Sequence, residues 1–217
     1  MRCVARLLCG WLLLPSLFSV GCSDAEKLRN FGVVEEGVLY RSGRLEAPAL
    51  RRAIEQHQLK TLVDLGGWDS NPDEWARNQA LADELGVTRY AIHMNGDGRA
   101  NPNGYVAVLR ILANPENQPA LVHCAGGSER TGAAVVLYRH LVQGRLLQPA
   151  YEESFEYSHA AEDYEWIAYL ADWVDEIEAA WRGGGWVEGV PPVEPEPGKL
   201  VKAHPAPNQW VPPDYVP

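Results

Sequence analysis

The chain is short of cysteine, short of basic charge and without any apolar run long enough to cross a membrane. Of its 217 residues only four are cysteine: Cys3, Cys9, Cys22 and Cys124. Three of them fall in the first 22 residues, so Cys124 stands alone in the body of the chain, which excludes an internal disulfide framework. Neither a second cysteine nor a histidine pair lies at ligand spacing, so no zinc site is expected, and no other metal or cofactor. The formal net charge is −10, and loss of Arg2 and Arg6 with a cleaved leader would lower it further. So acidic a surface argues against nucleic acid as a partner and against tight docking on anionic lipid. The longest apolar stretch, Leu7 to Val20, is interrupted by Pro15 and is short for a bilayer span. No internal repeat is present.

What the chain does have begins with export. Arg2 and Arg6 precede that apolar stretch as the basic start of a targeting segment, so residues 1–21 are read as a signal peptide and set aside from the fold. A single thiol kept in an oxidising compartment is a liability, and its presence suggests a use. The surroundings of Cys124 say which. In His123-Cys124-Ala125-Gly126-Gly127-Ser128-Glu129-Arg130-Thr131-Gly132, a cysteine stands before a Gly-rich turn and an arginine. Ala120 to Val122 ahead of it reads as a short buried strand. Thr131 to Val142 reads as a helix, with Ala134, Val135, Leu137, Tyr138, Leu141 and Val142 near helical spacing. A strand, a tight loop and a helix N-terminus together make an anion cradle of loop N–H groups and helix dipole.

These residue types suit one chemistry. A free thiol near neutral pH is mostly protonated and a poor nucleophile. Loop amides, the helix start, the Arg130 guanidinium and a donated Thr131 hydroxyl would all favour the thiolate. Arg130 also matches two phosphate oxygens in a fork. Ala125, Gly126, Gly127, Ser128, Glu129 and Arg130 are the expected phosphate cradle, with Cys124 attacking phosphorus and water releasing the cysteinyl-phosphate. The bland alternative, a small buried hydrophobe after an apolar strand, accounts for Cys124 but not for two glycines and an arginine beyond it.

His123-Cys124-x-x-Gly127-x-x-Arg130-Thr131-Gly132 resembles the signature of the cysteine-dependent protein tyrosine phosphatase superfamily, in its small dual-specificity-like bacterial branch. Leu39-Tyr40-Arg41-Ser42-Gly43 and Lys60-Thr61-Leu62-Val63-Asp64-Leu65 fit the same branch, and the resemblance runs from about Phe31 to about Trp181. The Cys–Arg spacing alone is shared with arsenate reductases and rhodanese-like domains; the flanking histidine, glycine and Arg-Thr-Gly narrow it. Arsenate reduction would need resolving thiols that this domain lacks. The resemblance implies an active phosphatase, with a non-catalytic phosphate-binding module of the cell envelope as the alternative. It also implies that His123 orients the loop. Ser19-Val20-Gly21-Cys22-Ser23 is similar to a bacterial lipoprotein cleavage site, which makes Cys22 a candidate lipid anchor and the protein an exported one of the periplasm or envelope. Ser19 departs from the usual aliphatic residue, and ordinary secretory cleavage near Gly21 or Ser23 stays open.

Along the mature chain, residues 22–30 read as a tether and 31–182 as one domain. Phe31 to Tyr40 reads as two strands around Glu36-Gly37. Pro48–Gln56, Pro72 to Gly86 and Pro102–Ala113 read as helices, alternating with strands at Lys60–Leu65 and Val87–His93. That alternation predicts an α/β sandwich with a mostly parallel central sheet flanked by helices, its ligand site at the strands' C-terminal ends. Gln148–His159 and Asp163–Trp181 read as two more helices, with Trp166, Leu170, Trp173 and Ile177 as core. Residues 183–217 turn Pro- and Gly-rich and read as an extended or disordered tail.

A leaving alkoxide or phenolate needs a proton. Asp97, in Asn95-Gly96-Asp97-Gly98, follows the strand before the cysteine strand, where relatives carry their mobile acid. Asp69 and Asp73 are weaker choices, and Glu129 is the rival, since some relatives carry aspartate there. Arg41, Arg44 and Tyr105 are given low rank as pocket-rim residues. Ala125 to Ser128 add no lysine to the loop, which favours a singly phosphorylated peptide or small phosphomonoester over inositol or lipid polyphosphates.

Overall fold

The structure is a computed structural model that describes residues 28–66, 71–157 and 165–203. The leader, Cys22, Asp69 and positions 204–217 lie outside the described residues. Six strands make one sheet: β1 (Gly32–Glu35), β2 (Leu39–Ser42), β3 (Thr61–Asp64), β4 (Thr88–His93), β5 (Ala120–His123) and β6 (Leu200–Lys202), in the order β1-β2-β5-β3-β4-β6. Only β1 runs antiparallel to its neighbour; every other pairing is parallel. The predicted sandwich, with a mostly parallel sheet flanked by helices, is the fold observed.

Alternation within the strands separates two apolar layers. Tyr40, Leu62 and Leu121 face one side, where α1 (Ala47–His57) and α2 (Pro72–Leu85) cover them. Leu39, Val63, Val122 and Ile92 face the other. There they meet α3 (Pro102–Leu112), α4 (Glu129–Leu137) and α6 (Glu165–Gly183), while α5 (Leu147–Ser154) packs on α4. Trp166, Leu170 and Ile177 are buried in this layer as expected, with Trp173 partly buried against it. Local signals set the helix ends. The Asn71 side chain accepts from the Glu74 N–H at 3.2 Å, Pro72 opens α2, and Gly86 closes it in the left-handed region at φ 67°.

Two segments differ from the sequence reading. The helix after the cysteine loop begins at Glu129, two residues before Thr131, and changes at Tyr138–Val142 to a wider π turn. Glu129 and Arg130 fall outside the apolar periodicity because the first turn of a helix faces the loop, not the core. The tail is more firmly held than its composition implied. As far as Ala203 it is extended, one of the two states expected, and it is packed: Val187, Val190, Val193 and Ala203 are buried, and β6 adds to the sheet beside β4. Buried Asn103 holds it, accepting from the Val187 N–H at 2.8 Å and donating to the Val190 and Pro191 carbonyls. Asn101 donates to the Pro191 carbonyl as well.

Candidate active site

The parallel register brings the C-terminal ends of β2, β5 and β3 level, with Ser42 and Asp64 both beside His123. From that edge the chain turns through Cys124 to Ser128 and enters α4. Cys124 is a free thiol at 1% exposure, and the Gly127 N–H donates to its Sγ at 3.1 Å. Gly127 sits at φ 81°, and a Cβ there would lie 2.5 Å from the Gly43 nitrogen. Only glycine meets both constraints. The carbonyls of the loop are taken from outside: Ala125 by the Arg44 N–H at 3.1 Å, Gly126 by Asn30 Nδ2 at 2.8 Å, Gly127 by Arg41 Nη2. Ser128 Oγ donates to the Tyr157 carbonyl at 3.1 Å.

Arg130 closes the loop. Its Nη1 donates to the carbonyls of Leu65 (3.1 Å) and Met94 (3.5 Å), the residues just past β3 and β4. Its Nε is buried without a hydrogen-bond partner, a donor that a bound oxyanion would satisfy. Thr131 behaves otherwise than expected. It is fully buried, and its Oγ1 has no hydrogen-bond partner, so it does not donate to the sulfur. Thr131 is the third residue of α4, within its first turn.

Behind the loop lies a buried charged group. Asp64 Oδ2 accepts from Arg89 Nη2 at 2.6 Å with both side chains out of solvent, and Asp64 Oδ1 accepts from the Gly66 N–H at 2.9 Å. His123 Nδ1 stands 3.9 Å from Asp64 Oδ1. Burial pushes the His123 pKa down; the Asp64 charge opposes this in part, and Arg89 reinforces it. The ring has a backbone hydrogen bond to Cys124, and the His123 carbonyl accepts from the Leu65 N–H at 2.7 Å, so His123 is tied to the loop on one side and to the end of β3 on the other.

The acid candidates meet at one contact. Asp97 lies on the surface, its side chain 45% exposed. Oδ1 accepts from the Arg99 N–H, and Oδ2 from Arg99 Nε and Nη2 at 2.9 and 2.8 Å. The neighbouring Gly98 rests on the first turn of α4, where an added Cβ would lie 3.3 Å from the Glu129 carbonyl carbon. Tyr105 is core, not rim: it is fully buried and donates to the Gly98 carbonyl, and burial holds its pKa well above the usual phenol range. Glu129 is half-buried at the start of α4, and Asp73 is exposed in the first turn of α2.

Two residues of this region escape the sequence reading, and a third, Arg41, is buried and not at the rim where it was expected. Asn30 and Tyr157 are remote from the motif and carry no local signal. Arg41 does: an arginine inside Leu39–Ser42, a strand buried at every position, has to serve something internal. Arg44, ranked with it as a rim residue, is part-buried and paired with Glu74 at 3.3 Å.

Comparison with known proteins agrees with this geometry. The dual specificity protein phosphatase TpbA of Pseudomonas aeruginosa is 32% identical over 116 residues, 53% of this chain and 49% of that one. Its crystal structure superposes with a TM-score of 0.58 at 26% identity, covering 70% of this chain and 91% of that structure. The core catalytic domain of the PP-IP phosphatase Siw14 of S. cerevisiae gives a TM-score of 0.59 at 27% identity, covering 74% and 96%. The chain spans about half the length of TpbA and of a Yarrowia lipolytica relative, at 49% and 50%. Residues 27–182 match the tyrosine phosphatase family, and the chain belongs to that family.

Proposed function

We propose that the protein is a phosphomonoester hydrolase of the tyrosine and dual-specificity type, working through a cysteinyl-phosphate. The observation that carries this reading is Cys124 Sγ at the floor of a loop whose Gly127 N–H meets it at 3.1 Å, with Arg130 anchored beside it and its Nε unpartnered. The Cys124 thiolate attacks phosphorus as the P–O bond to the leaving group breaks, and Asp97 gives that oxygen its proton. Water then attacks the phosphocysteine, Asp97 takes back a proton, the P–S bond breaks and inorganic phosphate leaves. Amides and Arg130 carry the charge on the equatorial oxygens. No step calls for a metal or cofactor.

The substrate class follows from the charge of the loop. Arg130 is its single cation, with no lysine between Ala125 and Ser128, and the chain as a whole is acidic. This favours a singly phosphorylated peptide or small molecule, as the name of TpbA suggests, over the polyphosphorylated kind that the name of Siw14 suggests. The place of action is the envelope: the leader exports the chain and Cys22 carries a lipid anchor.

One experiment tests these points together. Wild type should hydrolyse aryl phosphate in a vanadate-sensitive manner, and Cys124→Ser should lose essentially all turnover; no turnover in either would favour a phosphate-binding module. Phosphotyrosine peptides should outperform phosphoinositides and inositol pyrophosphates, and the reverse order would refute the substrate class. Expressed whole, the activity should fractionate with the envelope and become soluble on Cys22→Ser.

A further inference from the structure

The cysteine loop is held from outside by two side chains and one backbone carbonyl that no part of the reaction uses. The peptide joining Gly126 to Gly127 presents its N–H to Cys124 Sγ at 3.1 Å, and its carbonyl accepts from Asn30 Nδ2 at 2.8 Å. The next peptide has its carbonyl, that of Gly127, taken by Arg41 Nη2. Tyr157 joins the two donors. Its carbonyl accepts from Asn30 Nδ2 (3.4 Å) and from Ser128 Oγ (3.1 Å), and its ring lies 3.7 Å from the Arg41 guanidinium carbon. Asn30 itself occupies the left-handed region at φ 47°, which asparagine tolerates better than most residues.

We propose that Asn30 and Arg41 are positioning residues of the anion site, fixing the two peptides on either side of Gly127 so that the loop N–H groups face the sulfur and the bound oxyanion. A peptide plane can rotate as a unit, and Gly127 has no Cβ to stop it. Turned over, the peptide 126–127 would present a carbonyl to the thiolate and the phosphate, where both need a donor. Asn30 holds the far end of that plane. Arg41 does the same for the next one from a fully buried position.

The burial of Arg41 bears on its purpose. Its Nε and Nη1 have no hydrogen-bond partner, and burial lowers its pKa to about 10, so it is still charged at neutral pH. A desolvated cation with two idle donors is poor stabilising material. Its directed contacts go to the Gly127 carbonyl and the Tyr157 ring, with the Cys124 sulfur close enough to favour its charge. It therefore adds a second buried positive charge beneath the cradle, beside that of Arg130.

The inference deepens the phosphatase reading and rests on it for its turnover arm, but its main test does not need turnover. The full-length chain is treated with iodoacetate and with iodoacetamide, and alkylation of the Cys124 peptide is timed by mass spectrometry. An oriented loop selects the anionic reagent, so the rate ratio reports the amide directions. Asn30→Leu keeps size and charge and removes the donor; Arg41→Lys keeps charge and loses the fork. Each should lower the ratio roughly tenfold and raise the vanadate inhibition constant by about as much, the worth of one lost charge-assisted bond. Melting temperature should change by only a few degrees. Folded variants with a wild-type ratio would overturn the proposal. So would unfolding of both, since that would make the pair structural. An anion-selective wild type that turns over no phosphomonoester counts against the phosphatase reading alone.

Discussion

The two loops that meet where Gly98 rests on Glu129 are built in opposite ways. The cysteine loop is caged: its carbonyls go to Arg44, Asn30 and Arg41, its serine to Tyr157, and its arginine to the ends of β3 and β4. The Asn95–Arg99 loop is anchored through Gly98, which rests on Glu129 and Tyr105, while Asp97 stands outside, held by Arg99. One side has to present fixed donors to a charge that develops in place, and rigidity lowers the cost of reorganisation there. On the proposed mechanism the other delivers the proton and lets product leave, which calls for a part that can move. The fold supplies the first from buried backbone and the second from surface.

The sharpest way to break this contrast is to add one methyl group to each loop. Gly127→Ala would need a left-handed alanine with its Cβ 2.5 Å from the Gly43 backbone, whereas Gly96 has open space around it. Gly127→Ala should cost at least about 2 kcal/mol of stability and roughly 100-fold or more in kcat/KM, because the backbone has to shift away from the sulfur. Gly96→Ala should leave melting temperature and kcat/KM near wild type. Equal effects at the two glycines would show that the cysteine loop is not the rigid partner.

The second test concerns which carboxylate serves the mobile side. Asp97→Asn should slow aryl-phosphate turnover by roughly 100-fold at neutral pH and remove the alkaline fall of the pH–rate profile, as loss of a general acid does. Glu129→Gln, on the caged side of the contact, should change it only slightly. The reverse order would move the proton donor onto the helix start.

The same contrast explains what could be read from the sequence. Features set by neighbours in the chain were legible: Asn71-Pro72 and Gly86 bound a helix, alternating apolar runs gave the parallel sheet, and the Cys124-to-Arg130 spacing marked the loop. Features set by partners far along the chain were not. Asn30 and Tyr157 lie far from the motif on either side of it in sequence and meet it only in the folded chain. The buried valines of the tail, three residues apart among prolines, match neither a strand nor a helix; Asn101 and Asn103 give them their place. The Thr131 hydroxyl, adjacent to Arg130 in sequence, is buried without a hydrogen-bond partner, and adjacency alone did not foretell that.

The smallest effect is the most discriminating about motion. A residue that donates a proton must carry one and must turn over the phosphate, yet Asp97 has both oxygens engaged by Arg99, which also reaches Glu165 at 3.2 Å. Arg99→Gln removes the guanidinium while the Arg99 backbone contact to Oδ1 and the Gly98 turn remain available. Because the pair is exposed, its grip is worth little, and release should raise kcat by roughly two- to fivefold with KM nearly unchanged. A tenfold fall in kcat would mean that Arg99 aims Asp97 and does not restrain it. The acid loop would then be preorganised like its neighbour, and the difference between the two loops would be one of exposure, not of mobility.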